Sequence, residues 1–151
     1  VRVPEEVSAI HVANAHTDSD AFVFFEKANV LHTGDLFMSL GYPFVDAGNG
    51  GSSAGLIAAH ARALALCNEQ TRVIPGHGAV VGKAEFQAYR DMLVEVRRRV
   101  ADLVKKGRTL EQVKAAATTK EYDERWGKGF VTPDVFVQRL FIELSQPMKK
   151  G

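Results

Sequence analysis

The sequence predicts an α/β fold with extra helices at its carboxyl end, and three features carry that expectation. Short β-prone runs near the start, a strand, helix, strand succession through the middle, and a long amphipathic helix with shorter ones after it follow in that order. A chain of 151 residues fits one domain with a sizeable core, because domains cluster at about 100–150 residues. Its 46% hydrophobic content argues against disorder.

Ser8 to Val12 is the first β-prone stretch, and Ala21 to Phe25 is a continuous apolar run of the kind found in strands covered on both faces. Asn29 to Thr33 follows a polar turn at Glu26-Lys27-Ala28, which reads as a hairpin with a short connection. A hairpin centred between Lys27 and Ala28 sets Asp20 opposite Asp35 and leaves His16 just beyond the same end. Gly50-Gly51-Ser52-Ser53 is a loop ending in helix-capping residues, and Leu56, Ile57, His60 and Leu64 then mark a helical stripe up to Asn68. Arg72 to Ile74 is a short strand expected to stop at Pro75. Two strands joined by a crossover helix run parallel when they share a sheet, so their carboxyl ends open on one edge, where ligands of α/β sheets bind. Asp35 follows the first of those ends and His77 the second.

From Lys83 to Lys106, Phe86, Tyr89, Leu93, Val96, Val100 and Leu103 recur at spacings of three and four, one face of a long helix ended by Gly107. Thr109 to Gln112 forms a capping box for a helix expected through Ala117, and Thr132-Pro133-Asp134 opens a last helix to about Ser145. Between them Lys120 to Gly129 is polar and turn-rich apart from Tyr122 and Trp126, which are expected to anchor the terminal helices.

Charge and cysteine content exclude several function classes. With 19 basic and 18 acidic side chains there is no broad positive field for nucleic acid or anionic lipid, so neither nucleic acid nor membrane is an expected partner. Cys67 stands alone, which rules out an intrachain disulfide and a zinc ribbon built on cysteine pairs. The longest apolar stretch, Ser53 to Cys67, is broken by His60 and Arg62 and is shorter than the ~20 residues a spanning helix needs.

Three segments carry residues suited to chemistry: His16-Thr17-Asp18-Ser19-Asp20, His32-Thr33-Gly34-Asp35 and Pro75-Gly76-His77-Gly78. Each falls at a strand end or in a loop. Imidazole and carboxylate are ordinary zinc ligands, and the topology brings His16, Asp35 and His77 to one rim. Thr17, Asp18 and Asp20 either orient His16 through hydrogen bonds or stabilise a turn. Tyr42 and Phe44 follow the Asp35 segment and either line a substrate pocket or pack in the core.

In these segments the sequence resembles the metallo-β-lactamase superfamily, and specifically the carboxyl-terminal half of its hydrolases. "AHTDSD", "VLHTGDLF" and "VIPGHG" look like three ordered family motifs, and the match spans about Ile10 to Gly78. The resemblance implies half of an αββα sandwich over residues 1–106, with residues 107–151 a helical extension packed on the same domain. It implies a metal-ligand role for His16, Asp35 and His77, with Asp35 bridging two zinc ions at the catalytic centre. It also implies hydrolysis of a small ester, thioester or lactone by metal-bound hydroxide.

One departure is large. The family's amino-terminal His-x-His-x-Asp-His motif does not occur in this chain, so one or two zinc ions belong to the complete fold, and this chain alone is expected to hold metal weakly or not at all and to be inactive. Val1 then reads as a cut through a larger hydrolase. Besides a small-molecule substrate, the expected partners are the missing amino-terminal half or a second copy of the chain, covering an otherwise bare sheet face. The alternative function is a metal-poor interaction or oligomerisation module.

Other features have plainer readings. Asp18-x-Asp20 lacks the later residues of a calcium loop. Gly48 to Ser53 matches no nucleotide-binding fingerprint and reads as a capped loop. His11, His32 and His60 read as structural, and Arg97-Arg98-Arg99 as a solvated helix face.

Overall fold

The structure, a computed structural model, describes residues 4–146; Val1, where the cut was expected, lies outside them. Among the described residues five strands form one mixed sheet in the order β1 (Val7–Val12), β2 (Asp20–Phe25), β3 (Val30–Met38), β4 (Arg72–His77), β5 (Val81–Gly82). The polar turn sets the register of the β2–β3 hairpin, with Val23 opposite His32 and Phe25 opposite Val30. Helix α1 (Ser53–Leu66) connects β3 to β4, which run parallel as the strand, helix, strand pattern requires.

Both parallel strands run further than their local punctuation suggests. β3 continues through Gly34, whose φ of +53° permits a register shift, and Pro75 pairs opposite it inside β4. Proline is tolerated there because the β5 ladder covers only Arg72 and Val73, so no hydrogen bond to a second neighbour is lost.

The helical side of the sheet holds the core. Val12, Phe22, Leu31 and Val73 meet Leu56, Ala59 and Ala63 of α1 and Phe86, Leu93 and Val96 of α2 (Lys83–Lys105) in one buried cluster. Each fully buried side chain of Leu or Phe size contributes roughly 1.5–3 kcal/mol. α2 stops where expected: Gly107 takes φ +70°, and the amides of Gly107 and Arg108 return to the carbonyls of Val104 and Leu103 at 2.9 and 3.1 Å.

α3 (Leu110–Ala115) opens on the Thr109–Gln112 capping box and ends before Ala117, which takes φ +49°. The stretch expected to be irregular contains a 3-10 turn at Lys120–Tyr122 and the short α4 (Asp123–Trp126), whose Trp126 is buried edge-on against Tyr89 at 5.8 Å. α5 (Pro133–Ser145) packs on α2 and α3. Ser53 ties three helices together: its amide and hydroxyl donate to Glu143 of α5 at 3.0 and 2.8 Å, while its oxygen accepts from Arg97 Nε of α2 at 2.8 Å.

The arginine run is therefore only partly a solvated face. Arg98 is exposed, but Arg99 donates to the Thr118 carbonyl at 2.9 Å and pairs with Glu95 and Glu121. Hydrogen bonds from Arg98 and Arg99 pull the Glu95 carboxyl down to about 2.

The opposite face of the sheet is bare among the described residues. Strand alternation and register put Val7, Ala9, Val23, Phe25, Val30 and Ile74 there, and none of them belongs to the buried cluster or packs against it. Val7 is 52% exposed.

Candidate metal and substrate site

His16, Asp35, Met38, Phe44, His77 and Phe130 line one cavity of about 180 Å³ at the carboxyl ends of β3 and β4. The three sequence candidates for metal ligation are thus brought to one place. His77 Nε2 lies 3.2 Å from Asp35 Oδ1, a contact made possible by Gly76: a Cβ at that position would collide with Asp35 Oδ1 and lie 2.7 Å from the carbonyl carbon of Gly34.

His16 sits in the turn between β1 and β2. Its Nδ1 meets Asp20 Oδ1 at 3.3 Å, while the other oxygen of Asp20 accepts the Thr17 amide at 2.6 Å. Asp20 is the side chain that orients the His16 ring, leaving Nε2 as the free nitrogen. Thr17 contributes its backbone to that arrangement, and its hydroxyl accepts from the Ser19 amide. Asp18 does not touch His16; its carboxylate accepts from the Asn14 amide and side chain, both at 3.2 Å, which makes it a turn residue.

The glycine-rich loop braces the same turn. The Asp46 amide donates to the His16 carbonyl, the Asp18 amide to the Asn49 carbonyl, both at 2.9 Å, and the Ser52 amide to the Ala15 carbonyl at 2.9 Å. Hydrogen bonds from Asn49 hold the Asp46 carboxyl below the usual carboxylate range. Ser52 also caps α1 by accepting the Gly55 amide.

The two aromatic candidates separate. Phe44 is at the cavity, its ring 5.9 Å from that of His16. Tyr42 is not: it is fully buried, stacked on Phe136 at 4.7 Å, with its hydroxyl donating to Asp123 Oδ1 at 2.7 Å. Burial raises its phenol well above the ordinary value, and it is a packing residue.

Met38 and Phe130 line the cavity although the sequence reading assigned them no role. Their only sequence signal is apolar character beside a candidate ligand and beyond a turn-rich stretch. His60, read as a helix residue, is wholly buried and donates from Nε2 to the Leu36 carbonyl at 2.6 Å, one residue from Asp35. Burial pushes it down to about 4. His32 accepts the Gly34 amide at 3.1 Å, and His11 meets the Asp18 carbonyl at 3.0 Å.

Two imidazoles and a carboxylate suit zinc by type. By placement they fall short, since no three His, Cys, Asp or Glu side chains among the described residues lie close enough together to hold an ion.

No protein-family model matches the sequence, and no curated protein matches it. Solved structures do match. The stereoselective inverting sec-alkylsulfatase Pisa1 from Pseudomonas sp. aligns with 93% of this chain at 15% identity and a TM-score of 0.73, and its S233Y F250G double mutant aligns at 18% and 0.69. A metallo-β-lactamase from Pontibacter korlensis aligns with 62% of the chain at 15% identity and a TM-score of 0.52. The chain spans 25% of the alkylsulfatase and 44% of the β-lactamase. The likeness to the alkylsulfatase takes in nearly the whole chain. This chain therefore shares its fold with part of the alkylsulfatase and with part of the metallo-β-lactamase.

Proposed function

We propose that the chain supplies part of a zinc-dependent hydrolase site acting on a small ester, thioester or lactone. The observation that carries this reading is the shared cavity, in which His16 held by Asp20 stands with the Asp35–His77 pair. His16 Nε2, the Asp35 carboxylate and His77 are the atoms and groups that would hold zinc. Zinc held there with further ligands would supply Lewis acidity and make water nucleophilic at neutral pH. Asp20 orients the ring of His16, and Asp35 meets the His77 ring at the rim. The fold's solved neighbours include an alkylsulfatase, which sets sulfate esters beside carboxylic esters as substrates to be tried.

Zinc content after dialysis, together with zinc titration of the wild type and of His16→Ala, Asp35→Ala and His77→Ala, tests the reading. The expected result is weak binding that falls at least tenfold in each variant. Binding that none of the three changes affect would sink it.

An uncovered, mixed sheet face favours a second reading, in which the chain is an interaction module. Val7, Val23, Phe25, Val30 and Ile74, with His11, His32 and Arg72 among them, form a surface that a partner could cover, either the rest of a sandwich or a second copy. Sedimentation is expected to show self-association that Phe25→Ser weakens. A monomer at high concentration would exclude the second copy.

A further inference from the structure

The lining of the cavity is of two chemical kinds, the polar side chains of His16, Asp35 and His77 and the apolar ones of Met38, Phe44 and Phe130. The kinds adjoin: Met38 pairs with His77 in the β3–β4 ladder, and the Phe44 ring lies 5.9 Å from that of His16. Phe130 is 90% exposed, the most exposed large apolar side chain among the described residues. A lone exposed phenylalanine needs no explanation, but this one shares a cavity with two other apolar side chains and the candidate ligands.

Its backbone is also held in place. A Cβ on Gly129 would come within 2.6 Å of the Leu40 carbonyl oxygen and 2.7 Å of Gly41 Cα, so the two turns touch backbone to backbone and admit no side chain between them. On the other side Val131 is 1% exposed, and Thr132 caps α5. Phe130 thus stands in water between two anchored residues. Its ring lies 6.4 Å from that of Phe44 at 49°, an open wedge and not a closed stack. Phe44 is fixed in turn: the Arg139 guanidinium lies over its ring at 4.3 Å and donates to the Val45 carbonyl at 3.0 Å.

We propose that Phe130, Phe44 and Met38 form an apolar lip that takes the aliphatic acyl or alkyl chain of the substrate, selecting for apolar tails over charged or hydroxylated ones. This rests on the hydrolase reading for the word substrate, while the lip itself stands on the geometry. The wedge lines the same cavity as the polar side chains, so a molecule with its carbonyl beside Asp35 and His77 has Phe44 and Phe130 within reach of its chain. Each methylene buried there is worth about fourfold in affinity.

The test is titration of the chain with sodium octanoate and with sodium acetate, followed by NMR, in the wild type and in Phe130→Ser. Octanoate is expected to bind at least tenfold tighter than acetate, and Phe130→Ser to remove most of that preference while leaving acetate unchanged. Circular dichroism checks that the variant is folded, as expected for a change at an exposed side chain. Equal binding of the two anions, or an octanoate preference that survives Phe130→Ser, overturns the proposal. Hydrolysis of 4-nitrophenyl octanoate and acetate with added zinc separates the two inferences. Chain-length-dependent binding without hydrolysis sinks the hydrolase reading and leaves the lip; hydrolysis indifferent to chain length sinks the lip and leaves the hydrolase.

Discussion

His16 and His77 line the same cavity and are held in opposite ways. The side chain of His16 is 17% exposed and that of its partner Asp20 is 12% exposed; for His77 and Asp35 the figures are 65% and 45%. His16 is gripped from three directions: Asp20 on Nδ1, the Asp46 amide on its carbonyl, and the Phe44 ring beside its own. His77 is positioned by the end of a parallel ladder, with its carbonyl accepting the Ser39 amide at 3.0 Å and its ring meeting Asp35. A ring already fixed in one orientation loses little freedom when it takes up a ligand, whereas an open one must be ordered then. The β1–β2 turn holds its histidine already ordered, and the β4 end leaves its histidine open to solvent.

Removing Asp20 breaks this comparison most directly. Asp20→Ala deletes the carboxylate on His16 Nδ1 and is expected to lower zinc affinity tenfold to hundredfold, as loss of a ligand-orienting carboxylate does. The same variant has a metal-free readout. In the wild type, imidazole nitrogen shifts should show His16 as a single tautomer protonated on Nδ1; in Asp20→Ala the ring should become a mixture, while His77 is unmoved. An unchanged His16 spectrum would show that the turn, and not the carboxylate, orients the ring.

The contrast between the two histidines was half legible in the sequence. The turn at Glu26-Lys27-Ala28 fixes the hairpin register, and the crossover helix makes β3 and β4 parallel, so His16, Asp35 and His77 fall on one rim from local signals alone. Caps at Ser52, Thr109 and Thr132 and the glycine at 107 fix the helix ends for the same reason. What stayed hidden depends on contacts between distant segments. Tyr42 and Phe44 are two residues apart and equally aromatic, yet Tyr42 is buried because Asp123 and Phe136 receive it. Phe130 is exposed because Gly129 meets Gly41 across a tertiary contact. Pro75 reads as a stop, and only the short reach of β5 explains why the strand continues through it.

His60 sharpens the comparison from below, because it supports the segment next to Asp35 and does not touch the His16 turn. Its Nε2 donates to the Leu36 carbonyl, and its Nδ1 has no hydrogen-bond partner among the described residues, so protonation would bury a charge and an unmatched N–H. Burial lowers its pKa from 6.5 to about 4, with the nearby Arg90 charge acting in the same direction and the Leu36 bond opposing both. Between those values the unfolded chain binds a proton that the folded chain refuses, so stability rises with pH across the window and is lost on acidification from 6.5 toward 4. At pH 5 the expected loss relative to neutral pH is about 2 kcal/mol from this group. Urea unfolding at pH 7 and pH 5 measures it, and His60→Leu, though destabilised at both, should lose most of the difference between them. Amide exchange at pH 5 should then quicken first at Leu36 and its neighbours, with the amides of the His16 turn protected longer. Equal acid sensitivity of the two segments would mean that the buried histidine supports the whole rim and not its Asp35 side.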